Sequence, residues 1–339
     1  MTKVCFNIIN TIAPLDDLHR LSDAGLGAGL MRLTPARDSE IILYGRPLTL
    51  SGEHGLLSNG AVSPAVLVHG LFRLLHRHGI ELEFRSFNFG VPLPKTTNQP
   101  VPWLISHYGG EQADTAALSQ QLLDCLLQQQ ADYCLLAECG VGGTIMASLW
   151  LSGLAGTSLQ LPSSTLQSQK LVSRQRRLAE LDKQHLSAGF ELARMLTEPD
   201  AHDPLQWALC HLLTHWPSVR PLPILAGGIM LLAPLLACQP QTGRCPTQFA
   251  TTQWLWRSPQ VQQQFALAFD CKVQLPTVDF YQSRHNALHR YEQGQVVEGC
   301  GLGAMLWLSQ HLGCSDSQIM TALDAATEHY LHGEFDETI

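Results

Sequence analysis

The chain has 339 residues, 45% hydrophobic and only 15% charged, enough for a large core in one domain or two unequal ones. A formal charge of −8 argues against the clustered basic face that nucleic-acid binding needs, so a small-molecule partner is expected. Ten cysteines lie scattered with no Cys-x-x-Cys pair, and Met1–Leu15 lacks the pattern of a cleaved leader; both features fit buried thiols in a cytoplasmic protein.

In chain order, Lys3–Ile12 reads as a strand, Leu18–Leu30 is ambiguous, and Glu40–Tyr44 reads as a short strand before the Gly/Ser-rich loop Ser51–Ser63. Pro64–His78 has helical spacing, with Leu67, Leu71, Leu74 and Leu75 on one face and Gly79 placed to cap it. Ile80–Phe89 is strand-like and runs into the Pro-rich loop Gly90–Pro102. A helix is expected at Asp114–Gln129, then a strand at Asp132–Ala137, which leads through Glu138 into glycines and an apolar helix at Ile145–Leu154.

Gln167–Thr197 reads as one long amphipathic helix, Asp200–Pro204 as a linker and Leu205–Leu213 as a helix. The motif then repeats: strand Pro223–Ala226, turn Gly227-Gly228, helix Ile229–Cys238. Thr251–Trp256 and Lys272–Leu275 read as strands around a helix at Ser258–Phe269. A third glycine turn, Glu298–Gly303, precedes the apolar helix Ala304–Leu312, and Asp316–Leu331 is a last amphipathic helix. Alternating strands and helices predict an α/β fold with a parallel sheet, whose glycine turns can gather at the carboxyl edge where ligands bind. The uncharged stretches Cys139–Gln169 and Pro221–Gly243 are broken by Gly, Ser, Gln and Pro, so buried strand-turn-helix units are expected there, with no membrane span.

Among the motifs, Glu138-Cys139-Gly140-Val141-Gly142-Gly143-Thr144 is the most informative. Glycines at a strand-to-helix junction let backbone N–H groups approach an anion at the helix N-terminus. A dinucleotide site would need an acid about twenty residues onward, yet the next one is Glu180; a nucleoside-triphosphate loop would need Gly-Lys-Ser/Thr, which is absent. Lys170, Arg174, Arg176 and Arg177 form the densest positive cluster, either a solvated helix face or a source of a phosphate ligand in Lys170. Glu138 and Glu298 are the two acid–base candidates next to glycine, as against surface or capping carboxylates. His76/His78, His211/His215 and His285/His289 lack the adjacent Glu of the metalloprotease arrangement, and there is no Gly-x-Ser-x-Gly elbow.

Taken together, these residues resemble the nicotinate-nucleotide:dimethylbenzimidazole phosphoribosyltransferases, and within them a divergent branch. The likeness lies in Glu138-x-x-x-Gly142-Gly143-Thr144, in Ser283-x-His285-x-x-Leu288-x-x-Tyr291-Glu292-x-Gly294, and in Glu298-Gly299-x-Gly301-x-Gly303. Thr34-Pro35-Ala36-x-Asp38-x-Glu40 and Ala226-Gly227-Gly228 also match. The resemblance implies a three-layer, Rossmann-like α/β core with a small accessory helical region, 1–303 forming the core and 304–339 helices packed on it. It further implies a homodimer, no metal and no cofactor.

The family moves 5-phosphoribosyl from nicotinate mononucleotide to a benzimidazole with inversion, giving the α-ribotide used as a cobamide lower ligand. By resemblance Glu298 is the general base and Glu138 a second carboxylate. Gly140, Gly142, Gly143, Thr144, Lys170, Ala226, Gly227, Gly228, Gly299 and Gly301 line the substrate. Where the better-known branch has Asn-Thr-Thr and Asp/Ser-Gly-Phe, this chain has Gly143-Thr144-Ile145 and Ala226-Gly227-Gly228, and so lacks side-chain donors. Two further readings stand beside this one: another phosphosugar-handling α/β enzyme such as a nucleosidase, and a catalytically silent paralogue that senses a nucleotide.

Overall fold

The computed structural model describes residues 1–23, 28–50, 55–159, 161–163, 168–243, 248–268 and 271–333. Among them the elements run β1 (Lys3–Ile12), α1 (Leu18–Leu21), α2 (Thr34–Tyr44), α3 (Pro64–Arg77), β2 (Glu81–Phe89), β3 (Leu104–Gly110), α4 (Thr115–Gln128) and β4 (Tyr133–Val141). There follow α5 (Gly143–Ala155), α6 (Ser168–His185), α7 (Leu192–Thr197), α8 (Pro204–His215), β5 (Ile224–Ala226), α9 (Ile229–Thr242) and β6 (Gln248–Ala250). The chain closes with α10 (Gln253–Trp256), α11 (Pro259–Phe265), β7 (Lys272–Gln274), α12 (Asn286–Glu292), α13 (Leu302–His311) and α14 (Asp316–His332).

All seven strands are parallel, in the order β3-β2-β1-β4-β5-β6-β7. The central strands are apolar on both faces, as a doubly covered parallel sheet requires. Along β1 the alternation sends Ile8 to one core and Ile9 to the other. One core packs α4, α5, α6, α8 and α9 on the sheet, and the other packs α2, α3, α12, α13 and α14. This is the expected three-layer α/β fold. Chain direction across the sheet reverses between β1 and β4, and the crevice at such a switch point is where α/β sheets bind ligands.

Several local expectations are corrected. Glu40–Tyr44 belongs to helix α2: Pro35 opens it, Gly45 closes it with φ 73°, and the run Ile41-Ile42-Leu43 is buried against the sheet. The long helix expected through Thr197 ends at His185; Gly189, at φ 86°, turns the chain before α7. Thr251–Trp256 is a helix start, in which Thr252 accepts the Leu255 N–H, and the strand lies just before it at Gln248–Ala250. β3 has no counterpart in the sequence reading. Of the segments read from sequence, residues 24–27, 51–54, 160, 164–167, 269 and 334–339 lie outside the described residues. No helix among the described residues is long and apolar enough to cross a membrane.

Candidate active site

β4 continues past Ala137 to Val141, so Glu138 and Gly140 still belong to the strand and Gly142 caps α5 with φ 79°. Each glycine here makes room for a neighbour. A Cβ on Gly140 would lie 2.4 Å from Met230 Cε and 2.8 Å from Thr11 Oγ1; one on Gly142 would meet Leu18 Cδ2 at 2.4 Å. The second turn is shaped by the acids: a Cβ on Gly227 would come 2.9 Å from Glu138 Cγ, and one on Gly228 would be 3.7 Å from Glu298 Cβ. Glu138 and Glu298 therefore flank the Ala226–Gly228 turn. The third turn follows helix α12, with no strand before it, and is tied to β4 by the Cys300 N–H donating to the Glu138 carbonyl at 3.1 Å.

The first and third turns open on one cavity of about 540 Å³, the size of a small-ligand pocket. Glu138, Gly140, Gly142, Thr144, Lys170, Glu298 and Gly299 line it. Gly143, Ala226, Gly227, Gly228 and Gly301, expected at the substrate, do not line it. Gly143 is pressed by Met230 and Asp203, and Gly301 by Ala137 and Phe6.

The two acids differ in their surroundings. Glu298 accepts four hydrogen bonds: Thr251 Oγ1 (3.2 Å) and Thr252 N (2.9 Å) donate to Oε2, and Gly299 N (3.0 Å) and Gly303 N (3.2 Å) to Oε1. Loss of water nevertheless outweighs those donors and raises its pKa to about 7. Glu138, 6% exposed, is pushed well above the carboxylate range, first by burial and then by the negative charges of Glu298 and Asp203. Its neutral form is therefore favoured relative to an exposed carboxylate. A cationic ligand beside it reverses that direction by Coulomb attraction.

Lys170 lies at the cavity wall, 2.8 Å from Asp23 Oδ1 and donating to the Ser22 carbonyl at 2.8 Å. One turn further along α6, Arg174 is 7% exposed and reaches the Thr144 carbonyl (3.3 Å) at the start of α5. Burial lowers its pKa to about 10, and no carboxylate among the described residues pairs with it. A buried cation at a helix N-terminus adds to the positive field that favours an anion there.

Sequence reading missed several cavity residues. Arg37, Asp38, Ser63, Cys139, Cys300 and Tyr330 all face it. The block Thr34–Glu40 signalled one of these, Asp38, but its roles divide along the helix. Glu40 ties down backbone, accepting from Leu48 N, Thr49 N, Thr49 Oγ1 and Lys95 N at 2.7–2.8 Å. Asp38 turns to the cavity. Asp203, read only as part of a linker, caps α8 and lies under Gly143, its pKa raised by burial to about 6. The Ser283–Gly294 block is a buttress: Ser283 donates to Asp324, Tyr291 to the Val62 carbonyl, and Glu292 accepts from Phe280 N. The three histidine pairs do not line this cavity.

No protein-family model matches the chain. It is 29% identical over 327 residues to a UPF0284 protein of Gloeobacter violaceus, covering 90% of this chain and 82% of that one. It is 25% identical over 314 residues to a UPF0284 protein of Thermoplasma acidophilum, covering 90% and 86%. Among solved structures it is similar to a nicotinate-nucleotide-dimethylbenzimidazole phosphoribosyltransferase from Thermus thermophilus, at a TM-score of 0.47 and 12% identity over 98% of this chain and 83% of the other. A second structure, described as CobT from the same organism, gives a TM-score of 0.43 at 11% identity over 98% and 84%.

Proposed function

We propose that this chain is a phosphoribosyltransferase that moves 5-phosphoribosyl from nicotinate mononucleotide to 5,6-dimethylbenzimidazole or a related base. The observation that carries the reading is the meeting, in one cavity, of Glu138 with its glycine turn and Glu298 with its own, flanking the Ala226–Gly228 turn. Those are the motifs on which the family resemblance rests.

In this reaction the donor phosphate sits on the backbone of Gly140, Gly142 and Thr144, at the N-terminus of α5, with Lys170 beside it and Arg174 behind. The pyridinium of the donor leaves with the glycosidic electron pair as neutral-ring nicotinate, and positive charge builds on the ribose. The imine-type nitrogen of the incoming azole attacks the anomeric carbon from the opposite face, inverting it. The proton on the azole's other nitrogen passes to Glu298, whose pKa of about 7 suits a base working near neutrality. The cationic donor docked beside Glu138 favours its carboxylate form, whose charge in turn favours the oxocarbenium-like transition state.

The test is a mixture of purified protein, nicotinate mononucleotide and 5,6-dimethylbenzimidazole, followed by mass for α-ribotide and nicotinate. Both products are expected. Nicotinate with ribose 5-phosphate and no ribotide would mean a nucleosidase; binding with no product from any benzimidazole, purine or phenolic acceptor would mean a silent nucleotide binder. The expected assembly is a homodimer, which sedimentation measures directly.

A further inference from the structure

One side of the cavity carries three donors that the transfer reaction leaves unused. Asp38 on α2, Cys139 on β4 and Cys300 in the third glycine turn place one carboxylate oxygen and two sulfurs within 4.8 Å of one another. The Cys139 thiol donates to Asp38 Oδ2 at 3.4 Å. A tetrahedral ion with metal–sulfur bonds of about 2.3 Å and metal–oxygen bonds of about 2.0 Å needs sulfur and oxygen ligands about 3.5 Å apart, and two sulfurs about 3.8 Å apart. The Cys139 sulfur and the Asp38 oxygen already stand at that spacing, and the Cys300 sulfur lies within 4.8 Å of both.

The backbone holds the ligands in place. Cys139 is fixed on β4, where it pairs with Asn10 of β1. Cys300 is one of three non-glycine residues among those described with positive φ, at 54°, and its N–H is bonded to the Glu138 carbonyl. Non-glycine residues seldom adopt that conformation, so the surrounding structure holds Cys300 in it. Asp38 Oδ1 accepts from Ser63 Oγ at 3.2 Å, which orients the carboxylate and leaves Oδ2 toward the sulfurs, as outer-sphere partners do for metal ligands. All three residues line the cavity, so a fourth ligand position opens onto whatever it contains.

We propose that Asp38, Cys139 and Cys300 bind one thiophilic divalent cation of the zinc class, with its open coordination position facing the cavity. Two thiolates and a carboxylate favour such an ion over magnesium or calcium. Metal uptake must displace thiol protons. Both thiols must lose a proton to become ligands, so affinity rises with pH as protons are released.

The experiment is a titration of the reduced, chelator-treated full-length chain with cobalt(II), then zinc(II). Expected are one ion per chain, a near-ultraviolet thiolate-to-cobalt charge-transfer band, displacement by zinc, and measurable proton release. Cys139→Ser, Cys300→Ser and Asp38→Asn should each weaken binding at least tenfold. Cys210→Ser, in the other buried thiol pair, should leave it unchanged. Because the decisive titration uses the wild-type chain, variant misfolding does not cloud it. Absence of the charge-transfer band in the folded wild type overturns the proposal, as does a band that persists in both cysteine variants. Peptide mapping that finds a Cys139–Cys300 disulfide, with no metal uptake after its reduction, also overturns it.

Discussion

Glu298→Gln tests the base assignment, and the structure sets the size of its effects. The carboxylate accepts from four donors, two on each oxygen. An amide can keep one such pair through its oxygen, but its NH₂ then faces the other two donors. Two bonds to a charged acceptor are lost, at roughly 1.5–3 kcal/mol each. Against this, the variant no longer carries a desolvated charge. A rise from 4.5 to about 7 corresponds, at 1.36 kcal/mol per unit, to about 3 kcal/mol at neutral pH. The net destabilisation is therefore about 0–3 kcal/mol, or up to roughly 4 °C in a chain this size.

Turnover should fall far more, by roughly 10²–10⁴, because proton removal is lost. Nicotinate mononucleotide should still bind. Mass-detected ribotide formation, calorimetric binding of the donor and a melting curve on one preparation separate the three effects. Turnover within threefold of wild type, with the donor bound, would refute Glu298 as the base.

Other outcomes follow from the same geometry. The kcat/KM of the wild type should rise with pH through about 7 as Glu298 loses its proton; a profile flat from pH 6 to 8 would contradict that role. Glu298 and Glu138 have folded pKa values above their unfolded ones, so the folded chain holds those protons longer and loses relative stability as pH rises. Buried His69 and His107, lowered to about 4, act in the opposite sense, but only as pH falls below about 6.5. The melting temperature should therefore drop between pH 6.5 and 8, and drop less in Glu298→Gln. Gly303→Ala would set a Cβ 2.2 Å from the Thr251 carbonyl carbon and 2.5 Å from Thr252 N, backbone that cannot turn aside. Denaturant unfolding should show a loss of about 3 kcal/mol or more; a loss under about 1 would mean that α13 shifts freely. Lys170→Met should raise KM for the phosphorylated donor about tenfold, the loss of one charge-assisted contact, and have little effect on kcat; an unchanged KM would remove Lys170 from the phosphate site.

The strands β1, β2, β4 and β5 were legible because a parallel strand covered on both faces must be a short, continuous apolar run. The glycine turns were legible because Cβ atoms there collide with Met230, Glu138 and Thr251. The same local signal failed at Glu40–Tyr44, where three apolar residues in a row suit a buried helix face as well as a strand. It failed again at β3, an edge strand whose residues Leu104–Gly110 are mostly half-exposed and carry no apolar run.

What the sequence determined by itself was the order of strand, turn and helix, and the two glutamates beside glycine. Sheet order was decided only in three dimensions, since it depends on which way each crossover returns. That order sets β4 beside β1 and β5, so Glu138 and Glu298, 160 positions apart, share one turn. It also decided which member of a motif faces the cavity and which ties down backbone. Glu40 is spent on four backbone and side-chain donors while Asp38, two residues earlier on the same helix, faces the cavity. Cys139 and Cys300, two among many scattered thiols, meet there because the Cys300 N–H is pinned to the Glu138 carbonyl. Such proximity is a property of packing, and no local pattern of residues encodes it.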